Sequence, residues 1–162
     1  MSRSVSDKGL NYLLIDDDAV DRMAVQRAFK KSNVVSPLYT TSSSIEALEM
    51  LESSPEFRPA SRNVILLDLN IPKMNGIEFL ERLRQSPDFG KTPVIVLTTS
   101  EAERDRTRAY ELNALGYIVK PVQFSSLVEL IETLDRYLSY CGFPIVDMTS
   151  DRDSKLSTMF AS

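Results

Sequence analysis

Six polar side chains stand directly after, or at the end of, four short apolar runs. Asp16, Asp17 and Asp18 follow Tyr12-Leu13-Leu14-Ile15, Asp68 follows Val64-Ile65-Leu66-Leu67, Thr98 follows Val94-Ile95-Val96-Leu97, and Lys120 follows Gly116-Tyr117-Ile118-Val119. Carboxylates gathered in one crevice repel, and a like-charge pair about 5 Å apart costs about 3 kcal/mol at an effective dielectric near 20. A hard divalent cation with oxygen ligands removes that cost. Mg²⁺ suits such a place because it keeps several waters and takes one or two carboxylates plus phosphate oxygens. Lysine adds a point charge and threonine a hydroxyl donor. An anion that meets a divalent cation, an ammonium and a hydroxyl together is most economically a phosphoryl group.

Taken singly, each residue has a plainer reading. The three consecutive aspartates would serve as a solvated turn capping a helix, and Asp18 is assigned to that cap rather than to the site. Thr98 would end a strand, and Tyr117 would be a core aromatic with its hydroxyl at the rim. Asp68 resists such a reading, since a carboxylate directly after four apolar residues is costly unless it is used.

The elements that must bring these residues together follow from the apolar pattern. The runs at 12–15, 64–67 and 94–97 are continuous rather than alternating, as in strands buried on both faces. Gly116 to Val119 forms a further short strand, and Pro37 to Thr41 an edge strand opened by its proline. Helices are expected over Ala19 to Lys31, with Val20, Met23, Ala24, Arg27 and Ala28 at helical spacing; over Ser44 to Glu52, with Ile45, Leu48 and Leu51 on one side; and after Asn75-Gly76, with Ile77, Phe79, Leu80 and Leu83. Two more run over Glu101 to Leu112, charged on most of its circumference, and over Phe124 to Tyr140, with Leu127, Leu130, Ile131, Leu134 and Leu138 inward. Arg104, Arg106 and Arg108 read as a solvated helix face. Strands alternating with such helices make an α/β fold, a doubly wound parallel sheet with helices on both faces. Ligands of these sheets bind beyond the carboxyl ends of the strands, which is where the six residues lie.

Composition narrows the chemistry. The chain has 162 residues, 43% hydrophobic and 26% charged, so one domain with its own core is expected. A net charge of −4 disfavours broad attraction to nucleic acid or anionic lipid. With no histidine, imidazole acid/base chemistry, serine-protease-type triads and His-ligated zinc are excluded within this chain. Cys141 is the single cysteine, so no intrachain disulfide forms and a reducing compartment is expected. Four-residue apolar runs are far short of a membrane span of about 20, and no export signal is apparent, so a cytoplasmic protein is expected.

With these residues assembled, the chain resembles a response-regulator receiver domain from about Tyr12 to Tyr140, similar to the single-domain chemotaxis regulator. The resemblance rests on Asp16-Asp17, on Leu66-Leu67-Asp68-Leu69-Asn70-Ile71-Pro72-Lys73-Met74-Asn75-Gly76, on Thr98, on Tyr117 and on Lys120-Pro121, all in family order. It implies a flavodoxin-like five-stranded sheet of order 2-1-3-4-5. It further implies that Asp68 takes a phosphoryl group from a partner kinase's phosphohistidine. Mg²⁺ would be held by Asp17, Asp68 and the Asn70 backbone carbonyl, with Asp16 acting through water. Lys120 and Thr98 would pair with the phosphoryl group, and Thr98 and Tyr117 would form the switch that changes the face of the fourth and fifth helices. The family's Lys-Pro bond is cis, which would aim Lys120 into the crevice. The family tunes self-hydrolysis at Asn70, Ser100 and the neighbourhood of Thr99, so Thr99, bulkier than the small residue often found there, implies slower phosphoryl loss than alanine would.

The expected organisation is a flexible N-terminus over 1–10, a receiver domain over 11–141 and a partly disordered C-terminal extension over 142–162, with no fused output domain. Output would therefore pass through noncovalent contacts, or the protein would relay or drain phosphoryl groups, with no catalysis beyond its own phosphotransfer and autodephosphorylation. The apolar Tyr140 to Val146 stretch and the loop carrying Pro55 and Pro59 are similar to regulators paired with bacterial phytochromes, which implies a homodimer through the fourth and fifth helices and the C-terminal extension. A second class shares part of the pattern: Leu14-Ile15-Asp16-Asp17-Asp18 also resembles the start of a haloacid-dehalogenase-type Mg²⁺ phosphohydrolase using Asp16 and Asp18. That reading leaves Asp68 idle and lacks a late acidic pair after Lys120. A flavodoxin-like electron carrier would need a glycine- and hydroxyl-rich loop after the first strand, where this chain is acidic.

Overall fold

The computed structural model describes residues 9–144. The expectations for residues 1–8 and 145–162 lie outside the described residues. Five strands, β1 (Asn11–Ile15), β2 (Leu38–Thr41), β3 (Asn63–Leu67), β4 (Val94–Thr98) and β5 (Gly116–Val119), alternate with five helices. These are α1 (Ala19–Lys31), α2 (Ser44–Ser53), α3 (Gly76–Gln85), α4 (Glu103–Glu111) and α5 (Phe124–Tyr140). All neighbouring strands pair in parallel, in the order β2-β1-β3-β4-β5. This is the order that the resemblance implied.

The continuous apolar runs are explained by burial from two sides. Every residue of β1, β3 and β4 is buried. Because successive side chains alternate across a strand, the same runs feed two cores. Leu13, Ile15, Ile65, Leu67, Val94 and Val96 pack with Ala47 and Leu51 of α2, Phe79, Leu80 and Leu83 of α3, and Ala109 of α4. Tyr12, Leu14, Val64, Leu66, Ile95 and Leu97 pack on the other face with Val25, Ala28 and Phe29 of α1 and Leu127, Ile131 and Leu138 of α5. Leu10, expected in a flexible terminus, is buried in this second core.

Two helix faces differ from the sequence expectation. In α1, Val20 and Met23 point outward, 74% and 48% exposed, while Val25 and Phe29 join Ala28 in the core. Apolar residues in α1 are spread around the helix, and the sheet selects the side carrying the aromatic ring, which meets Tyr12 edge-on at 5.0 Å. In α2, Ile45 is exposed and the small Ala47 lies against the sheet beside Leu51. As expected of a charged helix, α4 contributes a single buried residue, Ala109.

Capping groups set the helix entries. Asp18 accepts hydrogen bonds from the Val20 and Asp21 amides, Ser43 from the Glu46 amide, and Asn75 from the Glu78 amide. Gly76 opens α3 against the β3 strand end. A Cβ there would lie 2.5 Å from the Asp68 carbonyl oxygen and 2.7 Å from the Leu69 Cα, so only glycine allows this approach.

Candidate functional site

Ends of three neighbouring strands converge. β1 delivers Asp16 and Asp17, β3 delivers Asp68, and β4 ends in Thr98, while β5 on the far side of β4 delivers Lys120. Asp16, Asp68 and Thr98 are buried and Asp17 is exposed. Carboxylate oxygens of Asp16, Asp17 and Asp68 all lie within 4.8 Å of one another, an acidic cluster whose donor set fits a hard divalent cation.

Lys120 enters this cluster from the end of β5. Its Nζ donates to Asp16 Oδ2 at 2.7 Å, to Asp68 Oδ2 at 3.2 Å and to Asp21 Oδ2 at 2.7 Å. The Lys120-Pro121 peptide bond is trans, contrary to the cis bond the resemblance implied. The ammonium reaches the crevice nonetheless, because the lysine stem spans the gap from the β5 end, where the Lys120 amide donates to the Thr98 carbonyl at 2.8 Å. Burial alone would lower the Lys120 pKa; the hydrogen bonds to Asp16 and Asp21 and the charges of Asp16 and Asp68 outweigh it and hold the ammonium above its ordinary value. The opposite holds at Asp16. Burial raises its carboxyl above the ordinary range, although Lys120 and the Asp18 amide pull it down.

Asp68 is held from both sides. Its Oδ1 accepts from Thr98 Oγ1 at 2.8 Å and from the Asn70 amide at 3.3 Å, and Lys120 occupies Oδ2. Thr98 in turn leads to the aromatic residue. The Ser100 amide donates to Thr98 Oγ1 at 3.3 Å, and the Tyr117 hydroxyl donates to the Ser100 carbonyl at 2.9 Å. Ser100 Oγ donates to Asp105 Oδ2 at 2.8 Å in the first turn of α4. A hydrogen-bonded path therefore runs from Asp68 through Thr98 and Ser100 to Tyr117 and α4.

All of the sequence-predicted residues meet here: Asp16, Asp17, Asp68, Asn70, Thr98 and Lys120 at the crevice, and Tyr117 at the end of the path. Asp18 does not take part in the acidic cluster; its carboxylate caps α1 through the Val20 and Asp21 amides. The phosphohydrolase reading, which needs Asp18 in the site and leaves Asp68 unused, is not supported.

Three features escaped the sequence reading. Asp21 lies three residues beyond the cap and reaches back to Lys120, a contact set by the side of α1 that faces the strand ends, which its scattered apolar residues do not mark. Arg22 Nη1 donates to the Asp16 carbonyl at 2.8 Å and steadies the turn. The three arginines of α4 are exposed, as expected, but each has its own surroundings. Arg104 lines a cleft of about 520 Å³ with Asp17, Asn70 and Asn75, Arg106 lies 5.6 Å from the Tyr117 ring centroid, and Arg108 bridges Glu81 of α3 and Glu111.

Comparison with known proteins agrees with this geometry. Residues 12–132 match the response regulator receiver domain family. The response regulator Rcp1 of Synechocystis is 34% identical over 126 residues, covering 77% of this chain and 86% of the relative. The crystal structure of the phosphorylated cyanobacterial phytochrome response regulator RcpA superposes with a TM-score of 0.73 at 33% identity, over 84% of this chain and 99% of that one. The Mn²⁺-bound form of Rcp1 gives a TM-score of 0.70 at 32% identity, over 83% and 98% of the two chains. A buried strand-end carboxylate flanked by acid pair, hydroxyl and lysine, on a 2-1-3-4-5 sheet that this family model spans, makes the chain a member of the response regulator receiver family of two-component signalling.

Proposed function

We propose that Asp68 is the phosphoacceptor of this response regulator and that a sensor histidine kinase is the donor. An Asp68 carboxylate oxygen attacks the phosphorus of the kinase phosphohistidine in line; the O–P bond forms, the P–N bond breaks, and the imidazole leaves with the bonding electrons. The histidine is the partner's, in keeping with a chain that has none. Thr98 and Lys120 hold the carboxylate in one orientation before attack and offer a hydroxyl and an ammonium to the charge that arrives. The single observation that carries this reading is the hydrogen-bonded, buried Asp68 carboxylate at the end of the central strand.

Asp17, Asp68 and the Asn70 backbone carbonyl would hold Mg²⁺, with Asp16 acting through water. When bound, the ion neutralises negative charge shared between the acceptor and the phosphoryl oxygens. Thr98, drawn to the phosphoryl group, pulls on the path through Ser100, and the Tyr117 ring follows, biasing the α4–β5–α5 face between two arrangements. That face carries the exposed apolar side chains of Tyr110, Leu115, Tyr137 and Tyr140, which suit a second copy of the chain. The likeness to a phytochrome response regulator supports a bacteriophytochrome as the kinase. We place this regulator in the cytoplasm, without direct contact to nucleic acid or lipid; no described helix is long and apolar enough to cross a membrane. The proposed domain unit is 11–141, with 142–162 as an extension.

Incubation with acetyl phosphate and Mg²⁺ should add the mass of one phosphoryl group to the intact chain. Asp68→Asn should show no such adduct, and EDTA should suppress it in the parent. An equal adduct on the Asp68→Asn chain would refute the assignment.

A further inference from the structure

Lys120 has three N–H donors, and three carboxylates take them: Asp16, Asp68 and Asp21. The third is outside the acid pair and the acceptor. Asp21 projects from the first turn of α1, and its carboxylate accepts from this ammonium. The three partners are unequal in depth. The side chains of Asp16 and Asp68 are 1% and 6% exposed, whereas that of Asp21 is 37% exposed.

Resting on the phosphoacceptor reading, we propose that Asp21 is a positioning residue for Lys120. It neutralises the ammonium while Asp68 is unmodified and is the partner that an incoming phosphoryl group displaces. Depth decides which bond is given up. Releasing Asp16 would leave a carboxylate buried without its counter-charge, which is strongly unfavourable, while Asp21 regains water at the rim. Asp16 is also committed to the Asp18 amide, and Asp68 to Thr98 and Asn70. Among the described residues, the Asp21 carboxylate has no comparable tie. Its charge further adds to the negative field that an anionic donor must enter. Asp21 therefore opposes phosphoryl binding, and its removal makes the site more receptive to small anionic donors.

The test compares the parent chain with Asp21→Asn and Asp21→Glu at saturating Mg²⁺. Two quantities are read: the acetyl phosphate concentration giving half-maximal adduct rate by intact mass, and the affinity for beryllofluoride by calorimetry. Asp21→Asn should lower the half-saturating concentration about three- to tenfold and tighten beryllofluoride by a similar factor. Asp21→Glu, which keeps the charge, should stay near the parent. A role confined to the α1 end would lower the melting temperature of Asp21→Asn and leave both binding quantities unmoved, and that result would overturn the inference. So would an equal gain in Asp21→Glu, or weaker binding in Asp21→Asn. Absence of any adduct in the parent would instead remove the acceptor reading and this inference with it, whereas a parent adduct with an unmoved Asp21→Asn chain removes this inference alone.

Discussion

The Thr98–Asp68 bond gives one hydroxyl a part in stability and, on the proposed switch, in signalling. A hydrogen bond to a charged group contributes roughly 1.5–3 kcal/mol, and this one is buried at 2.8 Å. Thr98→Ala should destabilise the fold by about 1–3 kcal/mol in urea unfolding, with Thr98→Ser recovering most of the loss. The neighbouring Thr99 is exposed at the crevice edge. Thr99→Ala should lose the phosphoryl group faster than the parent when decay of the adduct is followed after donor removal; an unchanged lifetime would contradict the slower loss expected of the bulkier side chain. Asp16, Asp17, Asp68, Thr98 and Lys120 were legible because each ends or follows a strand-like run. Asp21 was not, since its role depends on which side of α1 faces the strand ends, and the scattered apolar residues of that helix do not specify the side.

Strand β1 and helix α5 are joined by a partly buried polar contact, Tyr12 hydroxyl to Asp135 Oδ1 at 2.8 Å. Burial first, then the bond to Asp135 and its charge, raise the Tyr12 phenol above its ordinary 10.0. The sign follows from linkage. Above pH 10 the unfolded chain releases this proton while the folded chain retains it, so stability present below pH 10 falls as pH rises. Lys120, also raised, acts in the same direction above its ordinary 10.5. Denaturant midpoints measured from about pH 8 to 11 should fall above about pH 10. Tyr12→Phe should flatten that fall by one proton's worth, about 1.4 kcal/mol per pH unit. At the entry to α3, Gly76→Ala should cost about 1–3 kcal/mol in urea unfolding, because its Cβ would meet backbone rather than a movable side chain. The shifted Asp68 backbone should also slow adduct formation.

Across the whole molecule, the site and the exposed apolar face are on connected ground. Tyr117 reaches the Ser100 carbonyl, Ser100 holds Asp105, and Arg106 covers the Tyr117 ring, so the first turn of α4 is tied to the crevice. A helix with one buried residue is weakly anchored by packing, and such ties can shift it at small cost. On the proposed dimer, a chain carrying both Leu115→Glu and Tyr137→Glu should sediment as a monomer at concentrations where the parent is dimeric. A parent that is monomeric with and without acetyl phosphate would dismiss the dimer.

Local pattern was sufficient for the α/β class, the boundaries of the three central strands to within one residue, and the identity of the crevice residues. Strands buried on both faces need unbroken apolar runs, and a parallel sheet puts whatever follows those runs at one edge. Which helix side turns inward, the trans Lys120-Pro121 bond, the separate duties of Arg104, Arg106 and Arg108, and the capture of Lys120 by Asp21 emerged from packing. The last depends on groups far apart along the chain, Asp21 and Lys120 being 99 positions apart, and no window of neighbouring residues carries that distance.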